Sequence, residues 1–501
     1  MSSAEEPVIR FNFDNSYARL PERFYSRLNP TPVTAPRLIQ LNYKVAANLG
    51  LDPEALASPA GVEILAGNRI AAGSEPLAIA YAGHQFGHFV PSLGDGRANL
   101  LGEVIGSDGN RFDIQLKGSG PTPFSRRGDG RAALGPVLRE YIVSEAMAAL
   151  GVPTARALAA VLTGEEVYRE NIQSGAIFTR VAASHLRVGT FQYFAAQGDV
   201  AAIRILADYA IQRHYPDAAH SAQPYRAFLD GVIARHAQLV ARWMLLGFIH
   251  GVMNTDNMSI SGETIDYGPC AFMEAYHPDT VFSSIDHRGR YAYRNQAPAA
   301  NWNLTRLAEC LLPLLEQEAG SEASGMTSAQ EALAAFEPQF VAAHSAGLKR
   351  KLGLVTERDG DATLTQNLLE YMANNQADFT LTFRLLCDAA ANPEADASIR
   401  TLFANPTAYD NWAAIWRIRL RGERLGPPEI AAFMRTVNPA FIPRNHRIQE
   451  AIEAVEERQD FGPFQTMLEV ISHPYEDRPD LQRYAAAASL NERVHRTFCG
   501  T

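Results

Sequence analysis

The sequence predicts an α+β fold in which a strand-rich part precedes a mainly helical part. Residues 77–184 contain short apolar runs of strand length, separated by glycine-rich turns. One longer pattern with helical spacing is inserted among these runs, and from about residue 199 onward the apolar spacing is helical. With 501 residues and 47% hydrophobic content, the chain is long enough for two or three domains.

The N-terminal 76 residues are interspersed with prolines, among them Pro21, Pro30, Pro32, Pro36 and Pro53. Proline lacks a backbone N–H group and disfavours the interior of helices and sheets. Only short helical patterns, such as the one over residues 36–49, interrupt them. We therefore predict that residues 1–76 form an extension packed on the core.

Residues 77–184 are predicted to form a β-rich lobe with one long helix. Glycine-rich turns separate the predicted strands, which cover residues 100–105, 111–117 and 175–182. The helix is predicted over residues 136–150, since its apolar residues recur at helical spacing and Gly151 and Pro153 follow as stop signals.

A second, mainly helical lobe is predicted over residues 185–345. Residues 225–247 carry an apolar stripe typical of a buried helix, which leads directly into His250. Two short runs around Gly262-Glu263 then predict a tight β-hairpin, residues 258–267, that returns Asp266 beside Asn257. Further helices are predicted to the end of the chain, and residues 346–501 are assigned to a C-terminal helical region.

Composition argues against several classes of partner. The net charge of −10 disfavours a nucleic-acid surface, which normally requires a basic face. The N-terminus is acidic and lacks the pattern of a secretory signal, and the densest apolar run, residues 243–249, is too short to span a bilayer. We therefore expect a cytoplasmic protein without a membrane segment. The four cysteines show no C-x-x-C spacing that would indicate a zinc site.

The segment HGVMNTDN, residues 250–257, resembles the H-R-D-x-x-x-x-N catalytic loop of protein kinases. The position of the kinase base is Val252, which cannot accept a proton, whereas Asn257 keeps the position of a metal ligand. A carboxylate reappears at Asp256, and Asp266 begins an Asp-Tyr-Gly sequence comparable to the kinase D-F-G. Amide and carboxylate oxygens suit a hard cation, so Asn257 and Asp266 are predicted metal ligands.

Lys117 ends a predicted strand, as does the phosphate-binding lysine of kinases, which pairs with a glutamate on a helix. Glu140 and Glu145 on the following helix are both possible partners. The segment after Lys117 is rich in glycine and arginine, residue types that let backbone N–H groups and guanidinium groups approach phosphate oxygens.

The tetrapeptide Gly-Asp-Gly-Arg occurs twice, at residues 94–97 and 128–131, on both sides of that lysine. Arg180 and Arg187 lie at and just after a predicted strand, and guanidinium groups suit terminal phosphates. This clustering predicts a triphosphate site. The pair His84 and His88 has the spacing of a zinc-protease helix but lacks its glutamate, so it is not predicted to bind metal.

Three segments resemble the selenoprotein O family: YAGHQFGHFVPSLGDGRA (residues 81–98), LKGSGPTPFSRRGDGRA (116–132) and HGVMNTDNMSISGETIDYGPCAFME (250–274). The resemblance covers nearly the whole chain. It implies a bilobal, protein-kinase-like fold of pseudokinase type. It also implies an adenylyltransferase that binds ATP inverted relative to kinases and moves AMP to Ser, Thr or Tyr hydroxyls of proteins; some members use UTP similarly.

The resemblance assigns roles position by position. Lys117 would bind phosphates and pair with Glu140. The other implied nucleotide contacts are Gly94, Gly96, Arg97, Asp129 and Gly130, with Arg180 and Arg187 on the far phosphates and Asp266 near the nucleotide. Asn257 and Asp266 would hold Mg²⁺ or Mn²⁺, and Asp256 would be the general base.

One departure from the family concerns its cysteines. Members often carry a Cys in the segment matching residues 281–283, able to pair with a C-terminal Cys or selenocysteine, but this chain has Val-Phe-Ser there. Cys499 would pair with Cys270, Cys310, Cys387 or nothing.

Two other functions remain open. The first is a kinase that transfers the γ-phosphate with Asp256 as its base. The second is an inactive pseudokinase that binds nucleotide as a scaffold.

Overall fold

The computed structural model describes residues 9–498 and confirms the α+β class. Its strands are Tyr25–Arg27 (β1), Arg37–Leu41 (β2), Leu77–Ile79 (β3), Gly83–Gln85 (β4), His88–Val90 (β5), Ala98–Ile105 (β6), Arg111–Lys117 (β7), Ala132–Ala133 (β8), Arg156–Tyr168 (β9), Ile172–Ala182 (β10), Phe248–Ile249 (β11) and Ala271–Phe272 (β12). Strands β6, β7 and β10 confirm the three strands predicted from sequence.

Among the described residues, three short helices precede β3, one long helix follows β8, and helices dominate the chain after β10. They are Tyr43–Asn48 (α1), Pro53–Ala57 (α2), Pro59–Leu65 (α3), Leu134–Ala149 (α4), Val188–Ala195 (α5), Val200–His214 (α6), Pro224–Leu245 (α7), Gln296–Ala319 (α8), Glu322–Ala334 (α9), Phe336–Lys351 (α10), Asp361–Asn375 (α11), Phe379–Ala391 (α12), Asp396–Arg400 (α13), Pro406–Leu420 (α14), Pro427–Arg435 (α15), Asn445–Arg458 (α16), Gly462–Ser472 (α17) and Gln482–Ala485 (α18). Helices α4 and α7 confirm the predicted helices within two residues at each end.

The main sheet of the described residues is antiparallel, with strand order β1-β3-β6-β7-β10-β9-β2 and β8 paired to β10. In β7 and β10, Lys117 lies opposite Phe178 and Gln115 lies opposite Arg180. Side chains alternate between the faces of a strand, so Lys117, Gln115 and Arg180 share one face. The intervening residues, among them Ile114 and Leu116, belong to a separate core with the N-terminal segment. The alternation of side chains along β7 thus places these three polar residues on one face of the sheet and the apolar core on the other.

Helix α4 lies between the sheet and the C-terminal helices. At its start Gly135 lies so close to Glu456 of α16 that an added Cβ atom would come within 3.0 Å of Oε1. The ring of Tyr141 packs on the fully buried Phe464 of α17 with centroids 5.8 Å apart. At its end the carbonyl of Leu150 accepts from the hydroxyl of Tyr475 at 3.3 Å. The C-terminal helices therefore hold α4 along its whole length.

Two local predictions were wrong. Residues 36–49 are not helical throughout: β2 occupies their first part, because it pairs along β9 with Arg37 opposite Leu162. Residues 258–267 form no hairpin ladder beyond one bridge between Met258 and Thr264. Backbone groups of the first run bond to residues 186–188 instead, and those of the second bond to residues 153–155. Tertiary partners thus outcompete the local turn signal.

Across residues 9–498, the helices include none whose length and apolar content would let it span a lipid bilayer.

We expect Phe464→Ala to destabilise the fold by about 3–5 kcal/mol, because it removes a buried ring and leaves a cavity beside α4. Thermal and urea unfolding measure this loss. The control is Ile418→Ala, since Ile418 is 62% exposed and its truncation should change stability by no more than about 0.5 kcal/mol. Equal stability of the two variants would contradict the role given to α17.

Candidate active site

A cavity of about 200 Å³ lies between the sheet, α4 and the segment after α7. A second opening of about 420 Å³ adjoins it towards the loops that contain the two Gly-Asp-Gly-Arg sequences. The residues that line both are Tyr81, Gln85, Gly96, Arg97 and Asp256. The two spaces therefore form one continuous cleft around Asp256.

Three cations surround the carboxylate of Asp266. The ammonium of Lys117 lies 3.0 Å from Oδ1, Arg180 donates to the same oxygen at 2.6 Å, and Arg187 donates to Oδ2 at 2.6 Å. These cations come from the end of β7, the last part of β10 and the residue before α5. The structure thus brings together residues that are far apart in sequence.

Asp266 stays ionised in this surrounding. Burial alone would raise its pKa, but the charges of Arg180, Lys117 and Arg187 outweigh burial and hold the pKa well below its usual range. Its backbone lies in the left-handed region at φ +61°. Few residues other than glycine adopt that conformation, and aspartate is among those that tolerate it best.

Lys117 also binds Glu140 of α4, with Nζ 2.5 Å from Oε2. Arg180 approaches the other oxygen of Glu140 at 3.5 Å. Glu145 instead pairs with Arg156 at 2.7 Å. Of the two glutamates that the sequence left open, Glu140 is therefore the partner of the strand-end lysine.

The loop of residues 250–257 is held at both ends. The Nε2 group of His250 donates to the carbonyl of Ile265 at 3.0 Å, next to Asp266. The side-chain amide of Asn257 donates to the carbonyl of Val252 at 3.0 Å. That bond engages the amide nitrogen of Asn257 and leaves its oxygen available as a ligand.

Asp256 lies in the cleft in a different electrostatic setting. Burial raises the pKa of its carboxyl to about 6, although the charge of Arg187 acts in the opposite direction. Arg187 donates at 2.5 Å to the backbone carbonyl of Asp256 and not to its side chain. Oδ1 of this carboxylate is buried, and no group in the described part of the chain donates to it. Packing against Gly83, and not a hydrogen bond, therefore sets the position of this oxygen.

Asn257 and Asp266 suit a divalent cation whose other ligands come from a bound nucleotide and water. Within residues 9–498, no group of three or more His, Cys, Asp or Glu side chains could hold a metal ion alone. Asn257 and Asp266 both line the cavity and offer one amide oxygen and one carboxylate. Mg²⁺ is usually bound by one or two carboxylates together with water and phosphate oxygens, so this sparse set suits it.

The first Gly-Asp-Gly-Arg sequence borders both spaces. Gly94 has φ +60°, and a side chain there would meet the ring of Phe124. Asp95 is buried and accepts from Ile79 N at 3.1 Å and from the Gln115 amide at 3.0 Å. Burial raises the pKa of Asp95 to about 6. These contacts fix the turn so that Gly96 and Arg97 face the cleft.

The second sequence lies farther out, at the adjoining opening. Asp129 pairs with Arg169 at 2.8 Å, and the guanidinium of Arg169 lowers its pKa. Gly130 has φ +67° and passes so close to the backbone of Gly120 that a side chain would clash. Asp129 and Gly130 line the opening and not the cavity that holds the three cations.

Sequence reasoning missed several polar residues of the cleft, among them Asp95, Gln85 and Tyr81. The guanidinium of Arg187 lies over the ring of Tyr81 at 4.7 Å. Asp95 was recognisable as the centre of the repeated tetrapeptide. Gln85 and Tyr81 fall in the segment around the two histidines, where only a metal site was considered.

The end of the described chain lies at the mouth of the cavity. Thr497 forms a bridge with Ser283 and donates to the carbonyl of Pro269 at 2.5 Å, and Phe498 lines the cavity. Cys499 lies outside the described residues, so its pairing stays a prediction. The side chains of the other three cysteines, Cys270, Cys310 and Cys387, are buried.

Known proteins resemble this chain over nearly its full length. The family model for protein adenylyltransferase SelO matches residues 7–472. Protein nucleotidyltransferase YdiU of Methylorubrum extorquens (strain PA1) is 63% identical over 497 residues, which cover 98% of this chain and 99% of the relative. The protein of the same name from Rhodopseudomonas palustris (strain BisB5) is 62% identical over 494 residues, covering 99% and 100%. These matches confirm the family resemblance found in the sequence, and the chain belongs to the protein adenylyltransferase SelO family.

Proposed function

We propose that the chain transfers AMP from ATP to Ser, Thr or Tyr hydroxyls of proteins, with ATP inverted relative to its orientation in kinases. Nucleotidyl transfer to proteins is the activity of the family to which the chain belongs. The orientation and the residue roles are the new content of the proposal.

One observation carries the proposed orientation: a cluster of three cations lies in the cavity, and the carboxylate of Asp256 lies beside it. Lys117, Arg180 and Arg187 attract the most highly charged end of ATP, its β- and γ-phosphates. The α-phosphate then lies towards Asp256 and the adjoining opening, which takes the nucleoside. The kinase base position is Val252, which has no group to accept a proton.

The proposed reaction is a single displacement at the α-phosphorus. The acceptor oxygen forms a bond to this phosphorus while the bond to the β-phosphate oxygen breaks and pyrophosphate leaves. The hydroxyl proton passes to the carboxylate of Asp256. Arg180 and Arg187 stabilise the negative charge that develops on pyrophosphate. A Mg²⁺ or Mn²⁺ ion held by Asn257 and Asp266 supplies further charge neutralisation when bound.

Several finer assignments belong to the same proposal. They are the kinase-like bilobal arrangement, with residues 77–184 and 185–345 as lobes, residues 1–76 as an extension and residues 346–501 as a helical region. UTP as a second substrate and a cytoplasmic location are further parts of it. The nucleotide contacts proposed for Gly94, Gly96, Arg97, Asp129 and Gly130 follow from their position along the cleft.

Incubation with ATP labelled on either the α- or the γ-phosphate tests the proposed chemistry. We expect the α-label, and not the γ-label, to become attached to protein, because the leaving group is pyrophosphate. Dephosphorylated casein serves as a general hydroxyl-bearing acceptor beside the chain itself. Transfer of γ-label alone would mean a kinase, and transfer of neither label would mean a nucleotide-binding scaffold.

The role of Asp256 is tested by Asp256→Ala. Loss of a positioned base lowers a rate by about 10²–10⁴-fold, so we expect transfer to fall by at least about a hundredfold. ATP binding, measured by calorimetry, should remain, because the cations that hold the phosphates are intact. Asp256→Asn is the matched isosteric variant and should fail to the same extent. If either variant transfers AMP at the wild-type rate, Asp256 is not the base.

A further inference from the structure

A short β-hairpin lies directly on the loop that carries Asp256. Strands β4 and β5 pair with Gln85 opposite His88, and Phe86 and Gly87 form the two-residue turn. Both turn residues have positive φ, at +49° and +89°, as a type I′ hairpin turn requires. This is the segment whose two histidines are not predicted to bind metal.

The backbone of the hairpin fixes the two residues before Asp256. The N–H of Phe86 donates to Oδ1 of Asn254 at 3.0 Å, and the hydroxyl of Tyr291 donates to the same oxygen at 3.0 Å. The N–H of His84 donates to Oγ1 of Thr255 at 2.7 Å. These bonds account for the attachment of the hairpin without any contribution from the side chain of Gln85.

Thr255 is held from a second side by α5. Its hydroxyl donates to Oε1 of Gln192 at 2.6 Å, while the amide nitrogen of Gln192 contacts Nδ1 of His84 at 2.8 Å. Hairpin, loop and α5 thus form a closed ring of hydrogen bonds. The backbone beside Asp256 has little freedom to shift.

The side chain of Gln85 points to the carboxylate itself. Its amide nitrogen lies 3.4 Å from Oδ2 of Asp256, and it lines both parts of the cleft. Catalytic hydrogen bonds are often long before substrate binds and tighten in the complex. In the described chain, Asp256 is the hydrogen-bond partner of this amide, so the side chain has no separate structural task there.

Gly83 limits where the carboxylate can lie. A Cβ atom at this position would come within 2.4 Å of Oδ1 of Asp256 and within 2.8 Å of Leu93. Real contacts of this kind do not occur below about 3.0 Å, so the carboxylate occupies space that only glycine leaves open. Gln85 therefore contacts the carboxylate at Oδ2, and Gly83 lies against Oδ1.

We propose that Gln85 is a positioning residue for Asp256: its amide holds Oδ2 and so fixes the orientation of the carboxylate that accepts the proton of the acceptor hydroxyl. The inference rests on the proposed role of Asp256 as base. An amide suits the task, because it donates a hydrogen bond without the positive charge that would make the carboxylate a weaker base. Gly83 contributes by leaving room for Oδ1.

Steady-state transfer of α-labelled AMP to casein by Gln85→Leu tests this inference. Leucine keeps the approximate size but removes the donor, and we expect kcat to fall by roughly 10- to 100-fold, as for a misplaced catalytic group. The KM for ATP and the ATP affinity should stay within about twofold, since the phosphate-binding cations are unchanged. His88→Ala is the matched control on the opposite strand, because His88 is exposed, and should behave as wild type. Thermal unfolding confirms that each variant is folded.

Gly83→Ala is a second variant, which should displace the carboxylate by steric contact and not by loss of a hydrogen bond. Its added methyl group displaces the carboxylate by contact, so we expect the same selective loss of kcat. In an Asp256→Ala background, neither change should lower the residual transfer further, because both act through the carboxylate.

The outcomes separate this inference from the proposed function. If wild type transfers no α-label, or if Asp256→Ala remains active, the proposed function or the base assignment fails first. If Asp256→Ala is inactive while Gln85→Leu has the same kcat as His88→Ala, the proposed function stands and only the positioning role of Gln85 is wrong. A raised KM for ATP with unchanged kcat would instead make Gln85 a nucleotide contact and overturn the inference.

Discussion

The ion cluster around Asp266 is the interaction on which the site depends. Lys117, Arg180 and Arg187 reach one carboxylate from three separate elements, at distances of 3.0, 2.6 and 2.6 Å. Removing one partner from a buried pair leaves an uncompensated charge and costs about 3–5 kcal/mol, so the cluster ties the sheet to the loop after α7. It also keeps the cations in the cavity before a nucleotide arrives. Phosphate oxygens then meet charges that are already desolvated and oriented.

Two carboxylates in one cleft have opposite environments, and this difference suggests their roles. Cations hold the pKa of Asp266 well below its usual range, whereas burial raises that of Asp256 to about 6. A carboxylate that stays ionised suits cation binding, and one with a raised pKa and a free oxygen suits proton transfer. The surrounding elements preserve this difference. The C-terminal helices hold α4, which carries Glu140, and the β4–β5 hairpin holds the loop that carries Asp256.

Local patterns in the sequence predicted elements but not how distant segments meet. The strand at residues 111–117 and helices α4 and α7 follow from periodicity, because each buries one regular face. Residues 36–49 and 258–267 were mispredicted because their backbones pair with distant segments. The approach of Lys117 to Asp266 spans 149 residues and has no local signal, so their contact was not predicted. The contact of Gln85 with Asp256 was missed for the same reason.

The orientation of the nucleotide is the central claim, and a crystal structure with a non-hydrolysable ATP analogue and Mg²⁺ measures it directly. The account predicts that oxygens of the γ-phosphate lie within hydrogen-bond distance, about 2.7–3.2 Å, of Arg180 or Arg187. The α-phosphorus would then lie beside the carboxylate of Asp256. A γ-phosphate beside Asp256, with the nucleoside near Arg180 and Arg187, would contradict it.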